Sequence, residues 1–152
     1  MKKVTNKPKP KPISGVYAIH CVDKDKWYIG SSNNVVRRLN THKRELSNGS
    51  HNNLLLQHDY NELGPTSFSF LILVKDVPEE MLLAYEKVMM YKYDSVVRFK
   101  GYNQMFSTVN HKLFKEAYED YEKTLDEKKD LEPRWLSVLN LLMFFRYRQW
   151  LK

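Results

Sequence analysis

A chain of 152 residues with 42% hydrophobic and 28% charged side chains carries enough apolar material for a single core and too much for a disordered tail. Its one cysteine, Cys21, excludes an internal disulfide and fits a reducing compartment or one indifferent to redox, and no apolar run reaches the ~18–20 residues that cross a bilayer. The formal charge of +7 is uneven: residues 1–111 hold 16 bases and 10 acids, residues 112–132 hold 5 and 8, and the last twenty hold 4 and none. A polyanion is therefore expected to meet the first two-thirds, although charge alone suits nucleic acid and anionic membrane equally.

Residues 1–13 alternate lysine with proline, which predicts an extended arm whose Lys7, Lys9 and Lys11 either track phosphates or are simply solvated. That segment has no apolar stretch of the kind a secretory signal needs, so a cytoplasmic rather than secreted protein is expected. Two short strands, 15–20 and 26–31, flank the polar run Asp23-Lys24-Asp25-Lys26 and predict a hairpin that brings Tyr17 and Tyr28 close if the register is right. Asn33-Asn34 then caps a helix over 35–46, with Val35, Leu39 and Leu46 on one side and Arg38 and His42 on a neighbouring face. Asn48-Gly49 ends it, and a second helix is expected over 52–61, stopped by Leu63-Gly64-Pro65.

Ser67 to Val74, SFSFLILV, is rich in β-formers and predicts a third, central strand. Pro78-Glu79-Glu80 suits the start of a helix running to about Tyr93, because a proline and two acids complement the first turn. Gly101-Tyr102-Asn103 reads as a turn-like loop. Residues 111–130 predict an amphipathic helix through Phe114, Ala117, Tyr118, Tyr121 and Leu125. A last helix is expected after Pro133; its Trp135 to Phe145 segment is apolar nearly all round and must be buried, within this chain or in a dimer.

Glu86 is the most informative single position. Its helical neighbours are Leu82, Leu83, Met89 and Met90, so the carboxylate lies in an apolar stripe where an unpaired charge costs several kcal/mol. Either an arginine pairs with it or it binds a cation, and a lone hard oxygen ligand suits Mg²⁺. The stretch Arg37 to Arg44 holds Arg37, Arg38, Lys43 and Arg44 with His42 among them. It is either a solvated face or a phosphate clamp, in which a guanidinium forks onto a phosphodiester and an imidazole one turn away moves a proton. The remaining histidines show no zinc spacing, and no Gly-rich phosphate loop or nucleophile elbow is present.

With these residues in place, the sequence resembles the GIY-YIG nuclease superfamily, most closely its homing-endonuclease catalytic domains. The naming motif stands as Gly15-Val16-Tyr17 and Tyr28-Ile29-Gly30, and YIGSSNNVVRRLNTHKRELSNGSHNNLLLQ follows the homing-type pattern. The likeness covers roughly residues 14–105. It implies an α+β fold, a small three-stranded antiparallel sheet flanked by helices, with a C-terminal helical extension.

It further implies an endonuclease hydrolysing DNA phosphodiesters with one divalent ion, Mg²⁺ with Mn²⁺ as a substitute. Tyr17 would be the general base or water-orienting group, assisted by Tyr28; Arg38 would stabilise the phosphorane and Glu86 would hold the metal. His42, His51 and Asn103 would position phosphate and catalytic tyrosine. The expected partner is double-stranded or branched DNA, not membrane, met by Arg37, Lys43, Arg44 and the arm lysines Lys7, Lys9 and Lys11. A monomer or a homodimer would suit, in a bacterial or phage-infected cell, or in an organelle or nucleus of a eukaryote. The expected division is a basic arm over 1–13, the nuclease domain over 14–106 and the helical extension over 107–152. A structure-selective or restriction-like nuclease and a non-cleaving DNA-binding module are the alternatives.

Overall fold

The computed structural model describes residues 11–97 and 101–129, the last four of these by backbone alone. Within them the order is β1 (Gly15–Cys21), β2 (Lys26–Ser32), α1 (Val35–Ser47), α2 (Leu54–Leu63), β3 (Phe68–Lys75), α3 (Leu82–Lys92) and α4 (His111–Lys129), with short 3₁₀ turns at Pro65–Ser67 and Glu79–Met81. The three strands form one antiparallel sheet in the order β2-β1-β3. Lys7, Lys9 and the apolar Trp135 to Phe145 segment lie outside the described residues.

The side-chain period of two along β1 creates two cores. Val16 and Ala18 join Ala84, Val88, Met89 and Met90 of α3 and Phe114 and Ala117 of α4 on one face. Tyr17, Ile19 and Cys21 join Val35, Leu39 and Leu46 of α1 and Leu56 of α2 on the other. All of β1 except half-buried His20 is therefore inside, and β1 is the central strand. β3 is an edge strand, contrary to the expectation from its apolar run: Leu71 is 38% exposed, and the hairpin already pairs the far side of β1 with β2. Apolar composition reported that both faces of β3 carry core contacts; it carried nothing about which backbone edge is paired.

The starts of α1 and α2 match the capping signals, whereas Glu79–Met81 forms a separate 3₁₀ turn and α3 begins only at Leu82, without a side-chain cap. Asn34 accepts from the Arg37 amide at 3.0 Å to start α1, and Asn53 accepts from the Leu56 amide at 3.0 Å to start α2, two residues later than the sequence suggested. The loop of residues 101–103 runs along the outer edge of β2. There the Tyr102 amide donates to the Trp27 carbonyl at 2.9 Å. α4 docks on α3 through Phe114 and Ala117, through Tyr85 donating to Asp120, and through Lys92 donating to Tyr121. The helix of the expected C-terminal extension thus contributes Phe114 and Ala117 to the first core.

Candidate active site

The hairpin register aligns Tyr17 with Gly30 and Ile19 with Tyr28. The two phenols are therefore diagonal neighbours on one face of the sheet, not directly opposed. Gly30 supplies the room: a Cβ there would fall 2.4 Å from the Tyr17 hydroxyl oxygen, so only a residue without a side chain lets the ring lie across β2. On the other side of β1 the register slips between Val16, paired with Val74, and Tyr17, paired with Ile72. This bulge, with Leu73 as the extra residue, sits beside the tyrosine, where such irregularities re-aim side chains.

α1 delivers His42 beneath Tyr17. The Tyr17 Oη and His42 Nε2 are 2.8 Å apart, and His42 Nδ1 lies 2.7 Å from His51 Nε2. The far end of this chain fixes its direction. His51 Nδ1 accepts a hydrogen bond from the Asn53 backbone N–H at 3.0 Å, so the His51 proton is on Nε2. His51 therefore donates to His42 Nδ1, and His42 carries its own proton on Nε2 and donates to the Tyr17 oxygen. Both rings are neutral in this arrangement. Burial, helped by the Arg38 charge and then by His51, pushes His42 down to about 3, and burial lowers His51 as well.

Tyr17 is buried and Tyr28 half-buried. Burial raises the Tyr17 phenol well above its ordinary value, and Tyr28 and Glu86 add to this, whereas the Arg38 guanidinium beside it pulls the other way. Tyr28 is also raised, first by burial and then by Glu86, with Arg38 opposing. Burial lowers Arg38, but the adjoining Tyr17 and Tyr28 oxygens reverse that and hold it above its ordinary value. The two phenols, the guanidinium and the α3 carboxylate thus feel one another across four elements, β1, β2, α1 and α3.

Glu86 has no ion pair among the described residues, so the expected alternative of an arginine partner is not realised there. Its two oxygens accept hydroxyl donors instead, Ser31 from β2 and Ser107 from the loop before α4. An anionic oxygen flanked by hydroxyls is the donor chemistry of a hard divalent cation, so the residues fit Mg²⁺ or Mn²⁺. Two other groupings hold ligand atoms within 4.8 Å of one another: His42, Glu45 and His51, and His58, Asp59 and Glu62. Neither fits a metal. The ring nitrogens of the first are committed to the Asn53–His51–His42–Tyr17 chain, and Lys24 bridges Asp59 and Glu62 in the second, at 2.7 Å to each.

Asn103 lies among buried groups and pairs with backbone. Its Oδ1 accepts from the Ile29 amide and its Nδ2 donates to the Ile29 carbonyl, both at 2.8 Å, which fixes β2 between Tyr28 and Gly30. Both of these side-chain hydrogen bonds go to the β2 backbone. Behind it, the buried Tyr102 hydroxyl donates to Asp59 at 2.8 Å, and Asp59 also accepts from Lys24 at 2.7 Å and Lys26 at 3.2 Å. Burial raises the Asp59 carboxyl, but these three donors outweigh it and hold it below the ordinary carboxylate range.

Tyr17, Tyr28, Arg38, His42, His51 and Glu86 are therefore gathered, with Asn103 supporting them. Of the expected phosphate-facing cations, Arg37, Arg44 and Lys11 line a separate groove, and Lys43 sits over the Phe70 ring at 4.8 Å. Ser31, Ser107, Asn53, Gln57 and Asp59 were not anticipated. Gln57 accepts the His51 amide at 2.9 Å and donates to the Leu46 carbonyl at 3.0 Å, clamping the histidine loop to the end of α1. A polar residue one position after the fully buried Leu56 was the available signal; the serines gave none.

Residues 13–103, well over half of the chain, match the GIY-YIG catalytic domain. The chain belongs to the GIY-YIG family and is a nuclease domain with a hydrolase site. Two solved structures are similar to it. The catalytic domain of intron endonuclease I-TevI, in a glutamate-to-alanine mutant, is 26% identical with a TM-score of 0.56, covering 64% of this chain and 99% of that one. A structure of the catalytic domain of homing endonuclease I-TevI is 26% identical with a TM-score of 0.55, covering 60% and 98%. No match to a curated protein reaches significance.

Proposed function

We propose that this domain is a divalent-metal-dependent DNA endonuclease of the homing type, hydrolysing phosphodiester bonds in double-stranded DNA. The observation that carries this reading is a half-buried carboxylate without a cation partner among the described residues, sharing its surroundings with two phenols and a guanidinium. The likeness to intron and homing endonuclease catalytic domains supports the homing type over a restriction-like or structure-selective one.

In this reading Arg38 holds the scissile phosphate and stabilises the added charge of the phosphorane. Tyr17 is protonated at rest. Because its oxygen already accepts from His42 Nε2–H, its own proton is turned away from the histidine. That proton leaves to solvent, the phenolate, stabilised by the His42 donor, takes the proton of the attacking water, and His42 is never the acceptor of the tyrosine proton. Tyr28, on the same face, orders the attacking water with Tyr17. Glu86, held by Ser31 and Ser107, would bind the metal ion, whose charge supplies what burial withholds: a lower phenol pKa and stabilisation of the leaving oxyanion.

The test is incubation of supercoiled and branched DNA with Mg²⁺, Mn²⁺ or EDTA, using the parent protein and its Glu86→Ala and Arg38→Ala variants. Nicking or linearisation that requires the metal and falls at least a hundredfold in both variants is expected. Cleavage unchanged in both variants overturns the site, and binding without any metal-dependent cleavage overturns the enzyme in favour of a DNA-binding module.

A further inference from the structure

Outside the catalytic cluster, a groove of about 550 Å³ runs between residues 11–13 and the outer face of α1. Three cations, Lys11, Arg37 and Arg44, line it, and no acid does; Pro12, Ile13 and Val36 add apolar wall. Residue 13 is tied to the helix start there, since the Ile13 carbonyl accepts the Val35 amide at 2.9 Å and thereby extends the cap of α1. We propose that this groove is a docking subsite for the DNA phosphodiester backbone, beyond the phosphate that is cut. The inference rests on the reading of the domain as a DNA endonuclease.

Helix geometry supports both the continuity and the spacing. Arg37 and Arg38 are consecutive, so their side chains leave α1 about 100° apart: Arg38 turns to the phenols while Arg37 turns to the groove. A strand leaving Arg38 therefore meets a second guanidinium one residue away on the same helix. Arg37 and Arg44 are seven residues apart, two turns on the same face, which separates their Cα atoms by about 10 Å. Two long side chains rooted that far apart can reach nearby phosphates of one strand, so both guanidinium forks can grip a single backbone. Between the cations, Pro12, Ile13 and Val36 suit the sugars between phosphates, and Asn34, Asn40 and Thr41 add neutral polar groups of the kind that contact a nucleic-acid backbone.

The experiment measures duplex affinity of the full chain in EDTA across a salt series, and steady-state cleavage with metal. The proteins are the parent, Arg37→Ala, Arg44→Ala, the two arginine-to-lysine variants, and Lys112→Ala, which removes the same charge from exposed α4. Each arginine-to-alanine change is expected to lower the slope of log affinity against log salt by about 1 and to raise KM, with kcat at saturating DNA retained. The lysine variants should keep the parental slope, because a point charge still neutralises a phosphate, and Lys112→Ala should match the parent. If both alanine variants behave like Lys112→Ala while the parent binds and cuts, the groove is not a DNA subsite and the nuclease reading stands. A fall in kcat at unchanged KM also overturns it, by placing these arginines at the scissile phosphate. A parent that neither binds nor cuts DNA overturns both readings.

Discussion

Replacing His51 with alanine tests the direction of the histidine chain. The change removes the acceptor of the Asn53 amide and the donor to His42 Nδ1, leaving two polar groups in a region where His42 is 1% exposed. Each orphaned group costs about 1–3 kcal/mol, so a loss of about 2–4 kcal/mol is expected, or about 5–15 °C in Tm for a chain of this size. The chemical effect is separate. Freed from His51, His42 can move its proton to Nδ1, and its Nε2 then accepts from the Tyr17 hydroxyl in place of donating to it. Losing one donor aimed at a developing oxyanion typically costs about 10²–10³ in kcat. His51→Gln, whose amide restores a donor near the Nε2 position, should recover a large part of kcat but not the contact to Asn53. The assays are thermal unfolding, single-turnover cleavage and ¹⁵N spectra of the imidazoles. A parent protein whose His42 proton resides on Nδ1, or a folded His51→Ala protein with parental kcat, refutes the reasoning.

Gly30→Ala should force the Tyr17 ring from its place, at about 1–3 kcal/mol in chemical denaturation, with cleavage lost in the protein that still folds. Acid should unfold the domain steeply. His42 titrates near 3 when folded against 6.5 when unfolded, so the unfolded state binds the extra proton between those values. That stability is complete above 6.5 and is lost as pH falls towards 3, at up to about 1.4 kcal/mol per pH unit, in a urea-midpoint series. His42→Gln should flatten this dependence. Asp59→Ala should destabilise by about 2–3 kcal/mol, below the ~3–5 of a fully buried pair because the Lys24 and Lys26 side chains keep 30% and 32% of their surface exposed. A double-mutant cycle with Tyr102→Phe should show coupling, and additive losses would disprove the shared network.

Much of the site was legible because its parts are carried by local signals. The paired Gly-Val-Tyr and Tyr-Ile-Gly motifs, the polar turn between them and the asparagine cap ahead of Arg38 and His42 each act over a few residues. Glu86 was visible as a charge in an apolar stripe. The serines that hold it were not, because Ser31 and Ser107 are 55 and 21 residues from it and their type is common in any loop. Asn103 was legible as a supporting residue, but not its partner, because it hydrogen-bonds the Ile29 backbone 74 residues away.

By itself the sequence determined the strand and helix segments, the caps, the family and the chemical types that meet at the site, since periodicity, capping and motif spacing are properties of neighbouring residues. The assembled fold alone puts β1 at the centre of the sheet, sets the phenols diagonal across the β1–β2 pair, and makes His42 the donor to Tyr17. Those outcomes depend on which edges pair and which buried polar groups find partners, and a buried N–H or nitrogen lone pair is satisfied by whatever the fold brings to it, however distant in the chain.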